Sequence, residues 1–127
     1  MTIPSPARIA LICALLASFA LSPFRLSAQE DELSRQYPPA YVQALQQAIR
    51  NFLARDFEGA LKKLAECDRM FPDTIYALNV RGAIAIERKQ MEEGAKYCKE
   101  ALAKDPNFFP ARFNLAEIPF AEKRYAE

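Results

Sequence analysis

Three series of residues recur every 34 positions along this chain: Ala48, Gly82 and Ala116; Phe52, Ile86 and Phe120; Phe57, Met91 and Tyr125. Pro72 and Pro106 keep the same spacing. A fixed period of this length is the signature of one small unit stacked on copies of itself, so it constrains the fold before any single residue does. Within residues 75–106 the small residues Gly82, Gly94 and Ala101 sit among apolar ones at helical spacing, and Asp105-Pro106 closes the unit. The pattern predicts an all-α chain of paired helices, about two and a half units long.

The punctuation sets the expected boundaries. Pro38-Pro39 disfavours helix on its N-terminal side, so residues 29–39 read as a polar, acidic linker. The first helix is expected over residues 40–54, with Tyr41, Leu45, Ala48, Ile49 and Phe52 as its apolar stripe. Asp56 is the expected N-cap of a second helix over 57–70, whose Ala60, Leu61, Leu64 and Cys67 face inward. Pro72 stops that helix and Asp73 is expected to cap the next. The second unit then repeats the arrangement over 74–88 and 91–104. A third opening helix is expected from near Phe109, with Asn107 as its cap and Pro110 in the first turn, where a missing N–H costs nothing. Pro119 falls inside that helix and removes one backbone hydrogen bond, which predicts a kink.

The pattern of Gly82, Gly94 and Ala101 among apolar residues, closed by Asp105-Pro106, resembles the tetratricopeptide repeat, a helix–turn–helix unit. The resemblance covers roughly residues 41–127 and is strongest in the second unit. It implies an α-solenoid with units at 41–74, 75–108 and an incomplete 109–127. It also implies that the paired helices touch closely at Ala48, Gly82 and Ala116, and that Gly94 lies where one unit meets the next. In such arrays the first helix of each unit lines a concave groove. Carried onto this sequence, the groove residues are Leu45, Ile49, Phe52, Tyr76, Asn79, Ala83, Ile86, Phe113, Glu117 and Phe120. That set is largely apolar and suits an extended or helical peptide with hydrophobic anchors. The family's carboxylate clamp for chaperone tails needs Lys, Asn and Arg, whereas the matching positions here are Leu45, Ile49, Val80, Pro110 and Asn114. Only the last is polar, so binding of chaperone tails is not expected.

The first 28 residues read as a secretory signal. Arg8 is the one charged side chain before an apolar or small run over 9–21, and Ser27-Ala28 precedes a polar, acidic stretch. The expected cut falls after Ala28, with Ser18-Phe19-Ala20 as a second candidate and an uncleaved anchor over 9–24 as the alternative. The apolar run is shorter than the roughly 20 residues a membrane span needs. The expected location is therefore outside the cytoplasm, in a bacterial periplasm or cell envelope.

Composition narrows the chemistry. The chain has no histidine, which removes the commonest general base and the commonest transition-metal ligand together. Its three glycines form no phosphate loop. Net charge is +1, and Arg8 and Arg25 both precede Gln29, leaving 15 basic against 16 acidic residues after the leader. That balance disfavours a nucleic-acid partner, which calls for a clustered basic face. Beyond the leader, Cys67 and Cys98 read as small buried hydrophobes, with a bridge between them as the alternative. Their separation of 31 residues is unlike a redox motif. No catalytic residue, cofactor or metal site is expected.

The expected function is thus a non-catalytic scaffold that holds a protein or peptide partner. The alternative is the N-terminal repeat region of a larger exported protein whose activity lies beyond residue 127. Lys123-Arg124-Tyr125-Ala126-Glu127 looks like the start of another second helix, and Phe109, Phe113, Leu115, Ile118 and Phe120 make the last helix apolar, which also allows self-association.

Overall fold

A computed structural model describes residues 32–126, with side chains to Lys123. The leader and the expected cleavage site lie outside the described residues. All regular structure among the described residues is helical: a short segment at 32–36, then α1 Pro39–Leu53, α2 Phe57–Met70, α3 Ile75–Glu87, α4 Met91–Lys104 and α5 Phe109–Ala126. The chain is an all-α helical repeat. It divides into two compact units, with α1 and α2 in one and α3, α4 and α5 in the other. In the first, α1 packs on α2; in the second, α3 packs on α4, and α5 packs on both.

The backbone itself keeps the 34-residue period. After α1, the Arg55 N–H donates to the Phe52 carbonyl at 3.0 Å and the Asp56 N–H to the Asn51 carbonyl at 2.8 Å. After α3, Lys89 donates to Ile86 and Gln90 to Ala85 at the same distances. Each pair of bonds is a Schellman motif, closing the helix through one residue in the left-handed region. Those residues are Arg55 and Lys89, each at φ 63°. The exits from α2 and α4 match as well, with Phe71 at φ −141°, ψ 101° and Asp105 at φ −141°, ψ 98°. Equivalent residues therefore make equivalent turns, and the sequence period is a structural one.

Helix starts follow local chemistry. The Asp56 carboxylate accepts the Gly59 N–H at 3.0 Å, as expected of an N-cap. Asp73 does not cap α3. It sits at φ 54°, and the cap is Thr74, whose hydroxyl accepts the Ala77 N–H at 3.2 Å. Asn107 likewise precedes α5 by two positions, and its N–H is taken by the Asp105 carboxylate at 3.0 Å. Pro39 occupies the first turn of α1, where its missing N–H is harmless.

The stretch expected to be a linker is partly folded. Residues 32–36 form a helical segment, tied by a bond from Gln36 Nε2 to Glu32 Oε1 at 3.1 Å and one from the Tyr37 N–H to the Leu33 carbonyl at 2.9 Å. The two prolines end this segment and start α1, so they punctuate helix and do not abolish it. Tyr37 then stacks on Tyr41, with ring centroids 4.5 Å apart, and both rings meet Phe71 edge-on. Offset and edge contacts of this kind add about 0.5–1.5 kcal/mol per pair beyond the area they bury.

The helix–helix contact in the second unit depends on two glycines. A Cβ at Gly82 would lie 3.0 Å from Cys98 Sγ and 3.4 Å from the Gly94 carbonyl oxygen. A Cβ at Gly94 would lie 2.7 Å from Ile86 Cγ1 and 3.3 Å from the Gly82 carbonyl oxygen. The resemblance placed Gly94 between units. Instead it faces Gly82 and Ile86, inside its own hairpin. Together the glycines bring α3 and α4 to a distance at which Ile86 seats against bare backbone. Beside them Leu78, Cys98, Ala101 and Ala111 form a buried cluster, flanked by Ile75, Tyr97, Leu102, Phe108 and Leu115.

Candidate functional site

The groove residues implied by the resemblance fall into three groups. Leu45, Ile49 and Phe52 on α1, and Asn79, Ala83 and Ile86 on α3, are buried. Tyr76, Phe113 and Glu117 are half-buried. Phe120 alone is largely open, at 68% exposure. A side chain already covered by its own chain offers little to a partner, so most of the expected groove is core. Sequence pattern identifies the apolar stripe of a helix but not what covers it.

The open apolar surface is on α5. Its inner face, Ala111, Asn114, Ile118 and Ala121, is buried. Phe109, Phe113, Ala116 and Phe120 recur at i, i+4, i+7 and i+11 and form a second stripe on the opposite side. Phe109 is 60% exposed, Ala116 is exposed, and Phe113 is half-buried with its ring centroid 6.0 Å from that of Phe109. A helix apolar on both faces is normally buried all round. Here one of the two faces is bare.

The period says what the bare face is. Positions 109, 113, 116 and 120 correspond to Ile75, Asn79, Gly82 and Ile86 of α3 and to Tyr41, Leu45, Ala48 and Phe52 of α1. In α1 all four are buried, and in α3 all but the half-buried Ile75. Each of those helices has a second helix packed on it, α2 and α4 respectively. Asn79 of this set is buried against α5 itself, through Asn114, and among the described residues no helix follows α5 to cover its stripe.

α5 is held in place by a buried amide pair. Asn114 Nδ2 donates to Asn79 Oδ1 on α3 at 2.9 Å, and both side chains are buried. Asn114 Oδ1 has no hydrogen-bond partner among the described residues. Asn114, the one polar residue among the five positions compared with a carboxylate clamp, is thus spent on internal packing. Pro119 is exposed and leaves the Leu115 carbonyl without its helical donor, yet α5 continues through it.

Reactive chemistry is sparse. Among the described residues no three His, Cys, Asp or Glu side chains come together as metal ligands do. Cys67 and Cys98 are both buried thiols, and no disulfide joins them. Burial pushes the Cys98 thiol from 9.0 up to about 11, so it stays protonated at neutral pH and is a poor nucleophile. No helix among the described residues is long and apolar enough to cross a membrane. Comparison with known proteins finds no relative: no family model, curated protein or solved structure matches the chain.

Proposed function

We propose that this chain is a non-catalytic interaction scaffold of the tetratricopeptide type, exported to the cell envelope, which holds a protein segment on apolar surface left open by its repeats. The observation that carries the reading is the stripe of Phe109, Phe113, Ala116 and Phe120, whose counterparts in α1 and α3 are almost all buried. Exposed aromatic side chains at helical spacing suit a helix-in-groove mode of recognition. Export rests on the charged start and apolar run of residues 1–28.

The test is site-specific photo-crosslinking in the protein's own cells, with a crosslinking residue placed at Phe120, at Tyr76 or at the exposed Lys62 of α2. A discrete adduct at Phe120 or Tyr76, and none at Lys62, supports the scaffold. Absence of an adduct at all three positions would sink it.

A further inference from the structure

We infer that Asn79 and Asn114 are a positioning pair, and that their hydrogen bond selects which face of α5 docks on α3. The pair does this whatever lies against the other face of α5, and whether or not the chain holds a partner.

Hydrophobic burial does not make the choice. α5 carries two apolar faces, about 150° apart at 100° per residue. One holds Ala111, Ile118 and Ala121 around Asn114, and the other holds Phe109, Phe113, Ala116 and Phe120. Burial is favourable in proportion to the apolar area removed from water, and the aromatic face is the larger. On area alone it would be the face turned to α3. Instead Ala111 packs with Leu78 of α3 and with Cys98 and Ala101 of α4, and Asn114 bonds to Asn79. The face turned inward is the one with two alanines, an isoleucine and an amide, all buried.

Asn79 explains the preference. It is buried on α3 between Leu78 and Val80, which are buried too. With the observed face inward, Asn114 Nδ2 donates to Asn79 Oδ1 at 2.9 Å. Turning α5 to its aromatic face would carry Asn114 away from α3 and leave the Asn79 carbonyl without that donor. Leaving a buried polar group unpaired costs more than a typical hydrogen bond contributes. The selection therefore comes from the penalty on the wrong face, more than from the strength of the bond on the right one.

Three observations point to selection and not to stability. Asn114 Oδ1 has no partner among the described residues, and a partly satisfied buried amide is a poor way to strengthen a core. In paired helices a buried asparagine fixes the arrangement at a cost in stability. Secondly, the residues 34 positions earlier are Leu45 and Val80, both apolar and both buried. The repeat accepts apolar side chains at these two register positions, so it does not itself require amides there. Thirdly, the α3–α4 contact is fixed by shape, with Ile86 against Gly94. Ala111 and Ala121 offer little shape to read, and the amide pair supplies the specificity that they lack.

The test is a double-mutant cycle on the full chain, with Asn79→Leu, Asn114→Val and both together, which installs the side chain types found at 45 and 80. Chemical denaturation gives stability, and methyl and aromatic NOEs report which face of α5 meets α3. Each single variant should lower the folding equilibrium constant roughly tenfold, and the double variant should regain most of that loss. In the parent, NOEs should link Ala111 to Leu78 and Ala101. In the double variant these should weaken, residues 109–123 should give more than one set of signals, and Phe109 or Phe113 should show NOEs to α3. A double variant with one set of signals and the Ala111–Leu78 NOE at full strength would overturn the inference, because the face would then be chosen without the amides. A double variant no more stable than the single ones, or one that fails to fold, would overturn it as well, because the amides would not act as a pair.

Discussion

The α3–α4 hairpin and the helix α5 carry the same four register positions and treat two of them oppositely. Gly82 and Ile86 are sealed under α4, whereas Ala116 and Phe120 face outward. The side chains are of similar kind, small then large and apolar, so residue type does not decide burial. What decides it is whether a second helix returns across the first. Within the described residues no second helix returns across α5, and it leaves exposed positions that α1 and α3 use as core.

The large residue of the stripe gives the widest difference between the two regions. Phe52→Ala should destabilise the chain by about 3–5 kcal/mol, because it empties a fully buried site, whereas Phe120→Ala should change stability by less than about 0.5 kcal/mol. Chemical denaturation of the two variants measures both. Similar losses would mean that Phe120 is covered in solution. The small position comes next. Gly82→Leu should cost about 1–3 kcal/mol by overpacking against Cys98 and the Gly94 backbone, and Ala116→Leu should be close to neutral. A large loss at Ala116 would place a helix where none is described.

A smaller effect of the sealed side appears with pH. Because the Cys98 thiol is raised from 9.0 to about 11 by burial, its protonated form stabilises the fold. That stabilisation, on the order of 2 kcal/mol, is complete below pH 9 and is lost as pH rises towards about 11. Stability of the Cys98→Ala variant should therefore fall less steeply over that window than that of the parent; an equal slope would remove Cys98 as the cause. Smallest is the turn itself. Lys89→Gly relieves a left-handed residue at φ 63° and should raise stability by about 0.5–1 kcal/mol. At the corresponding Lys123, which is helical, glycine should lower stability by a similar amount.

Much of this architecture was legible in the sequence, and for identifiable reasons. Residues 57–70 and 91–104 match α2 and α4 to the residue, because each follows a tight turn and runs into a two-residue stop ending at Pro72 or Pro106. The cap of α3 was misplaced by one position, since Asp73 and Thr74 are both good capping residues and only backbone geometry selects between them. Gly94 was assigned to the wrong neighbour because a period locates a residue within its unit but not the surface it meets. Six groove residues proved to be core for the same reason. The helical segment at 32–36 escaped notice because the two prolines after it read as a barrier to helix, when they act as its terminator. The open stripe on α5 was written in the sequence as Phe109, Phe113 and Phe120, but its meaning needed the burial of the matching positions in α1 and α3.

Hydroxyl-radical footprinting of the full chain, read residue by residue by mass spectrometry, reports the exposure of α5 beside that of α1. Phe109 and Phe120 should oxidise at rates close to those of free phenylalanine, while Phe52 and Tyr41 are strongly protected. Protection of Phe120 equal to that of Phe52 would mean that α5 is covered as α1 and α3 are, and that its outer stripe is not open.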